Sequence, residues 1–246
     1  MKDSKYIDAG AYFRPELIPD SLPVHFRIEK ETLCPKLSKD ITTASFMSAV
    51  WAIFLSQILN QNDVIFGRLV NGRNAAIPGI EEVVGSYINI VPVRVDVKSH
   101  HTLMELILAV QEQFICLGEA DSLGFNDIIQ NCTDWPAGSK IYSCTQHQNI
   151  DEDLAFEIEG FTGRLRRFEN RRRLPYFLYM ISFPRGTKLG VQIFAHSHMM
   201  APETAQGLLD SFCPLVEKLA AGLDASSPIV SLVDGFEAPR LQRQEP

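Results

Sequence analysis

Val84-Gly85-Ser86-Tyr87-Ile88-Asn89-Ile90-Val91-Pro92-Val93-Arg94 comes shortly after Phe66-Gly67-Arg68-Leu69-Val70-Asn71-Gly72-Arg73-Asn74. In each stretch, glycines mark turns beside polar residues and an arginine, which is how a chain shapes a loop next to a buried strand. Val64-Ile65-Phe66 reads as a short β-branched strand entered by a turn at Asn62-Asp63 and ended at Gly67. Ile90 to Val97 is rich in valine and contains Pro92, which places that strand at an edge or a bulge.

Upstream, Thr42 or Thr43 caps a helix that runs through Asn60. Its apolar residues, Phe46, Met47, Ala49, Val50, Trp51, Ile53, Phe54, Leu55 and Ile58, surround most of the cylinder. Such a helix is buried on several sides. Downstream, Thr102 and Glu105 have capping-box spacing. Leu103, Leu106, Ile107, Val110, Phe114 and Leu117 follow at intervals of three and four, giving an amphipathic helix over residues 102 to about 118. A shorter helix is expected over Phe125 to Asn131, then a turn cluster from Thr133 to Gly138.

Strand patterns dominate the next section: Ile141 to His147, Ala155 to Ile158, Arg164 to Phe168, Tyr176 to Phe183 and Leu189 to Ala195. The last two are joined by a hairpin turn, Pro184-Arg185-Gly186-Thr187. Pro202 opens a final helix with Leu208, Leu209, Phe212, Val216 and Leu219 inward, Pro214 inside it and Gly222 ending it. Residues 1–40, punctuated by Pro15, Pro19, Pro23 and Pro35, read as a crossover or linker, and 224–246 as a C-terminal linker. Residues 41–223 then make one α/β domain, a mixed sheet with helices packed against it.

Composition narrows the partners. Of 246 residues, 46% are apolar and 22% charged, ordinary values for a chain with a sizeable core. A net charge of -7 argues against a general nucleic-acid or anionic-membrane binder. The most apolar run, Ala44 to Leu59, is short and broken by Ser45, Ser48, Ser56 and Gln57, so no membrane span is expected. Cys34, Cys116, Cys132, Cys144 and Cys213 are scattered and odd in number, with no C-x-x-C pair. They suggest a reducing compartment, and with no signal-peptide pattern in residues 1–20 the expected location is cytoplasmic.

The Gly85 to Arg94 phrase has the form G-x-x-x-N-x-x-P-x-R after a G-R loop, and in this it resembles the condensation domains of nonribosomal peptide synthetases. Similarity runs in order through Ala49-Val50-Trp51, Asp63-Val64-Ile65-Phe66-Gly67, Asn71-Gly72-Arg73 and Thr145-Gln146-His147-Gln148-Asn149. The forms of Asn131-Cys132-Thr133-Asp134-Trp135-Pro136 and of Gln146 to Asn149 look like fungal members. The resemblance implies one lobe, the C-terminal one, of a pair of chloramphenicol-acetyltransferase-like sandwiches. Carrier-protein thioesters on phosphopantetheine arms enter a tunnel between the two lobes and are joined by an amide bond.

No cofactor is implied on the chain itself. Implied partners are a peptidyl or acyl carrier protein, an N-terminal lobe and neighbouring synthetase domains. The wall of a tunnel left open by one lobe also raises self-association. By resemblance, Arg73 matches the arginine expected to pair with the aspartate of the family's H-H-x-x-x-D-G motif. Asn89 and Arg94 shape the tunnel floor, Gln146, His147 and Asn149 lie near the tunnel, and the region from Tyr176 to Ala195 includes a segment reaching toward the other lobe.

That catalytic motif belongs to the other lobe, so no catalytic residue is assigned and the chain is expected to be inactive alone. His100-His101-Thr102-Leu103-Met104-Glu105-Leu106 has Glu and Leu where Asp and Gly belong, and reads as a decoy at a helix cap. His196-Ser197-His198 lacks a third ligand at metal-site spacing, so no metal is assigned. There is no G-x-S-x-G elbow and no phosphate-cradling G-K-[ST] or G-x-G-x-x-G. Arg164, Arg166, Arg167, Arg171, Arg172 and Arg173 make a +5 segment on a remainder of -12. It reads either as a solvated hairpin rim or as a docking patch for an acidic helix or a phosphate. A non-catalytic carrier-docking or scaffold module, and an independent anion binder, are the rival functions.

Overall fold

A computed structural model describes residues 25–73, 77–85, 87–150, 155–164, 178–196, 200–223, 228–237 and 239. The chain enters through β1 (His25–Leu33), then forms α1 (Thr43–Leu59), β2 (Asp63–Val70), β3 (Asn89–Asp96) and α2 (Leu103–Leu117). It continues through α3 (Phe125–Cys132), β4 (Ser143–His147), β5 (Ala155–Ile158) and β6 (Phe161–Arg164). The order ends with β7 (Leu178–Arg185), β8 (Lys188–His196), α4 (Pro202–Ala221) and α5 (Ile229–Val233). Among the described residues, six strands make one mixed sheet in the order β1-β8-β7-β4-β2-β3, and β5 and β6 pair separately. β2, β4 and β7 run parallel, while the outer pairings are antiparallel. This is the expected α/β sandwich of single-lobe size.

Local chemistry explains the elements. Thr42 caps α1 by accepting the Ser45 amide at 3.1 Å, and Asn60 ends it in the left-handed region at φ 50°. At α2 the capping box is complete. Thr102 Oγ1 accepts the Glu105 amide at 3.2 Å, and Glu105 accepts the amides of Thr102 and His101 at 3.3 and 2.9 Å. The β7–β8 hairpin closes on Gly186-Thr187 with Gly186 at φ 57°, as a two-residue loop requires.

The core lies between one face of the sheet and the three long helices. α1 is buried almost all round, between α2 and α4 and over β2 and β4. Trp51 and Phe54 on α1, their ring centroids 5.5 Å apart, meet Phe212 on α4 at 5.3 and 5.2 Å. The buried Trp51 indole donates to Ser143 Oγ at 2.9 Å, which ties the central helix to the start of β4. On the opposite face, Cys144, Tyr179, Ile181 and Phe183 form a smaller cluster with Leu69, Ile90 and Phe194.

Three expectations are corrected. Residues 1–40 are not all linker, because His25–Leu33 pairs with β8 along its whole length. Its charges hid it: Arg27, Glu29, Lys30 and Glu31 interrupt the apolar alternation, and they belong to an edge strand with ion pairs to Arg185, Lys188 and Asp210. The tail beyond 224 includes α5, whose Ile229 is buried and whose Leu232, Val233 and Phe236 pack on the core.

β2 does not stop at Gly67 but continues to Val70. A Cβ at Gly67 would stand 2.7 Å from Ile90 Cγ2, so this glycine permits close packing and does not end the strand. Pro92 lies opposite Gly67 on β3, the edge strand, where a ladder donor can be dispensed with. The strand expected at Arg164 to Phe168 meets the described residues only at Arg164, the last residue of Phe161–Arg164, which is the second arm of a hairpin turning on Glu159 and Gly160, both at positive φ. Residues 165–168 lie outside the described residues.

Candidate functional site

The β2–β3 pair and the loop joining it carry three of the anticipated residues. Asp63 begins β2, and Arg94 sits on β3 opposite Ile65, one strand turn away from it. Arg94 Nε and one terminal nitrogen reach the two Asp63 carboxylate oxygens at 2.9 and 2.8 Å, a bidentate pair that locks the β2–β3 register. Asn89 Nδ2 donates to the Leu123 carbonyl at 2.7 Å and holds the turn after α2 against β3. Both contacts lie inside this fold.

Arg73 closes the loop. One terminal nitrogen donates to the carbonyls of Ile80 and Val83 at 2.8 and 3.1 Å, the other to Gly85 at 3.3 Å, and the guanidinium lies 5.3 Å from the Tyr87 ring centroid. Within this fold Arg73 is the clasp of its own loop. Gly72, at φ 60°, lets the chain turn there, and a Cβ would collide with the Tyr87 carbonyl. The clasped segment presents Ile77, Val83, Val84 and Ile88 to solvent, with Val84 fully exposed. Beside it, Arg73 and residues 77–82 line an open depression of about 550 Å³.

Gln146, His147 and Asn149 end β4 and begin the following loop. Side chains alternate along a strand, so Gln146 and His147 face opposite ways. Gln146 Oε1 accepts the Tyr179 hydroxyl on the small-cluster face. His147 faces the helices, with Nδ1 hydrogen-bonded to Ser182 Oγ on β7 at 2.9 Å. Burial, and then the charge of Arg68, hold its pKa below 6.5. Asn149 is exposed in the loop. The three are neighbours in sequence but do not converge on one point.

The sequence pattern assigns Arg68 no role, although a charge between Gly67 and Leu69 within an apolar strand is a signal. Its register partner is Thr145 on β4. Its side chain is 7% exposed, and the guanidinium carbon lies 4.0 Å from the centroid of Phe114 on α2. One terminal nitrogen is fully buried with no hydrogen-bond partner among the described residues. Desolvation pushes the guanidinium pKa down to about 10, which still leaves it charged at neutral pH.

The remaining motifs divide plainly. In His100-His101-Thr102-Leu103-Met104-Glu105, the Glu105 carboxylate serves as the α2 cap. The amides of His101 and Thr102, in that order, hold its pKa below the usual carboxylate value. Arg164 ends β6, while Arg166, Arg167, Arg171, Arg172 and Arg173 lie outside the described residues, as does His198 of the H-x-H pair. No helix among the described residues is long and apolar enough to cross a membrane.

Comparison with known proteins agrees with this fold. The chain is 46% identical over 217 residues to nonribosomal peptide synthetase dtxS1 of Metarhizium robertsii, covering 88% of this chain and 3% of that protein. It is 38% identical over 223 residues to nonribosomal peptide synthetase TES of Alternaria alternata, covering 91% of this chain and 4% of that one. It therefore spans a small fraction of these relatives' length.

Among solved structures, a crystal structure of CT superposes with a TM-score of 0.73 at 29% identity, over 85% of this chain and 48% of that chain. The starter condensation domain of rhizomide synthetase RzmA shares the fold at a TM-score of 0.62 and 18% identity, over 93% and 52%. The family profile described as condensation domain matches residues 27–241. That span takes in β1, the clasped loop and α5 alike, and the chain belongs to the condensation domain family.

Proposed function

We propose that this chain forms the C-terminal lobe of a condensation domain that joins carrier-bound thioesters through an amide bond in nonribosomal peptide synthesis. The observation that carries the reading is the ordered set of phrases ending at Arg94, on a fold that spans about half of the solved CT chain. In this reading the Arg73 clasp and the Arg94–Asp63 and Asn89–Leu123 contacts act by shape. They set the loop and strand edge that form one wall of the substrate passage. Gln146, His147 and Asn149 flank the far end of β4, and the phosphopantetheine arm of a carrier protein supplies the thioester.

Arginine does not shuttle protons at neutral pH. With Glu105 committed to a helix cap, this lobe contributes positioning and the lobe carrying H-H-x-x-x-D-G contributes the base. The test is amide formation from aminoacyl and peptidyl carrier proteins. Product is expected only when a separate lobe carrying H-H-x-x-x-D-G is added. Amide formation by this chain alone, lost in His100→Ala or His101→Ala, overturns the assignment.

Carrier docking without chemistry is the second reading, favoured by the same use of Glu105 as a cap. Calorimetry against holo and apo carrier protein decides it, and a flat titration with both removes it. The exposed Val83, Val84 and Ile88 segment also supports self-association, which a strict monomer by light scattering would refute.

A further inference from the structure

The least compensated group in the described structure is the Arg68 guanidinium. It is charged, more than nine-tenths buried, stacked on Phe114, and leaves a buried N–H unsatisfied. No carboxylate among the described residues pairs with it, and burial lowers its proton affinity. A buried cation without a counter-charge is among the most costly arrangements a fold can hold, and a native one calls for a specific partner.

Three neighbours define the site's chemistry. Arg68 and Thr145 are register partners, and His147 lies two residues further along β4 on the same face. Ser182 Oγ anchors His147 Nδ1, leaving Nε2 as the free edge of the ring. Arg68, His147 and Ser182 stand toward the C-terminal ends of the parallel strands β2, β4 and β7, the place where open α/β sheets receive ligands. A dianion would leave net negative charge in a dry site with a single cation. A monoanion is neutralised by it.

We propose that Arg68 is the receptor of a carboxylate, held by the guanidinium with His147 beside it, and that this carboxylate comes from a small acid or from the acidic side chain of another polypeptide segment. The planar guanidinium fork suits two carboxylate oxygens at once. Phe114 closes one face of the guanidinium and keeps the pair dry.

The experiment titrates the whole chain with sodium acetate and, separately, with an end-blocked Gly-Asp-Gly peptide, against sodium chloride at equal ionic strength. Thermal midpoint and the His147 ring proton shifts are followed. Ligand at about 100 times its Kd shifts the folding equilibrium about 100-fold toward the folded state, a saturable rise in midpoint. The His147 signals move with it, because the carboxylate offsets the neighbouring positive charge.

Arg68→Met abolishes both responses, and Arg68→Lys keeps a weaker one, which separates recognition from folding. Response to acetate assigns a free acid, and response to the peptide alone assigns a side chain. Responses indistinguishable from chloride, meaning that water alone satisfies Arg68, overturn the proposal. So does a stronger response to inorganic phosphate, or one that survives in Arg68→Met. None of these readouts depends on carrier protein or on amide formation, so the site can fail while the condensation reading stands.

Discussion

Replacing Arg73 with methionine isolates what the clasp contributes. It removes three charge-assisted hydrogen bonds, to the carbonyls of Ile80, Val83 and Gly85, while keeping an apolar stem against Tyr87. Dry bonds of this type contribute about 1.5–3 kcal/mol each. These acceptors sit in an exposed loop where water replaces the donor, so about 0.5–1 kcal/mol per bond is appropriate, roughly 2 kcal/mol together. A difference of that size is about 30-fold in a local opening equilibrium.

The amides that read it are Glu82, bonded to the Gly79 carbonyl at 3.0 Å, and Val83, bonded to Ile80 at 3.3 Å. Hydrogen exchange at both should accelerate about 30-fold. Exchange within β7 and β8, on the other side of the sheet, should hold. Arg73→Lys, which cannot span three carbonyls with one ammonium, should fall between. Unchanged exchange at Glu82 and Val83 would refute the clasp, and an equal loss of protection in β7 would show that Arg73 supports the whole fold.

Three further outcomes are expected. Gly72→Ala introduces a Cβ against the Tyr87 carbonyl at φ 60°, so the loop must rearrange, and the Tyr87 and Asn89 amide resonances should shift while the Trp51 indole signal stays. Trp51→Phe leaves Ser143 Oγ without its donor and opens space beside Phe54 and Phe212, for a loss of about 2–4 kcal/mol in urea unfolding. A loss below about 1 kcal/mol would mean that the site repacks. His147 binds protons less readily when folded than when unfolded, because of burial and then Arg68. Unfolding therefore takes up protons as pH drops below 6.5, and this contribution to stability is lost on acidification. The fall in urea midpoint between pH 7.5 and 5.5 should shrink in His147→Asn, and equal slopes would refute the assignment.

Much of this was written locally. Helix ends are set by contacts within a turn, so Thr42, Asn60, Thr102, Glu105 and Gly222 marked α1, α2 and α4 nearly to the residue. The buried character of α1 and the edge position of the Pro92 strand were legible for the same reason, since composition along a few residues carries them. β1 was not legible. Its charges find partners on β7, β8 and α4, more than 150 positions away, and no local pattern encodes that pairing. Gly67 misled because glycine both ends strands and permits close packing, and only the position of Ile90 chooses between them.

The sequence by itself determined the family, the helix caps, the α/β class and the residue types at the β2–β3 loop, because these rest on short ordered phrases and local hydrogen bonds. Tertiary structure alone decided what the arginines do. Arg73 clasps its own loop, Arg94 locks a strand pair to Asp63, and Arg68 stands buried without a counter-charge among the described residues. An arginine's role is fixed by which oxygens come within about 3 Å of its nitrogens. That distance is set by strand register and helix packing, not by the letters on either side.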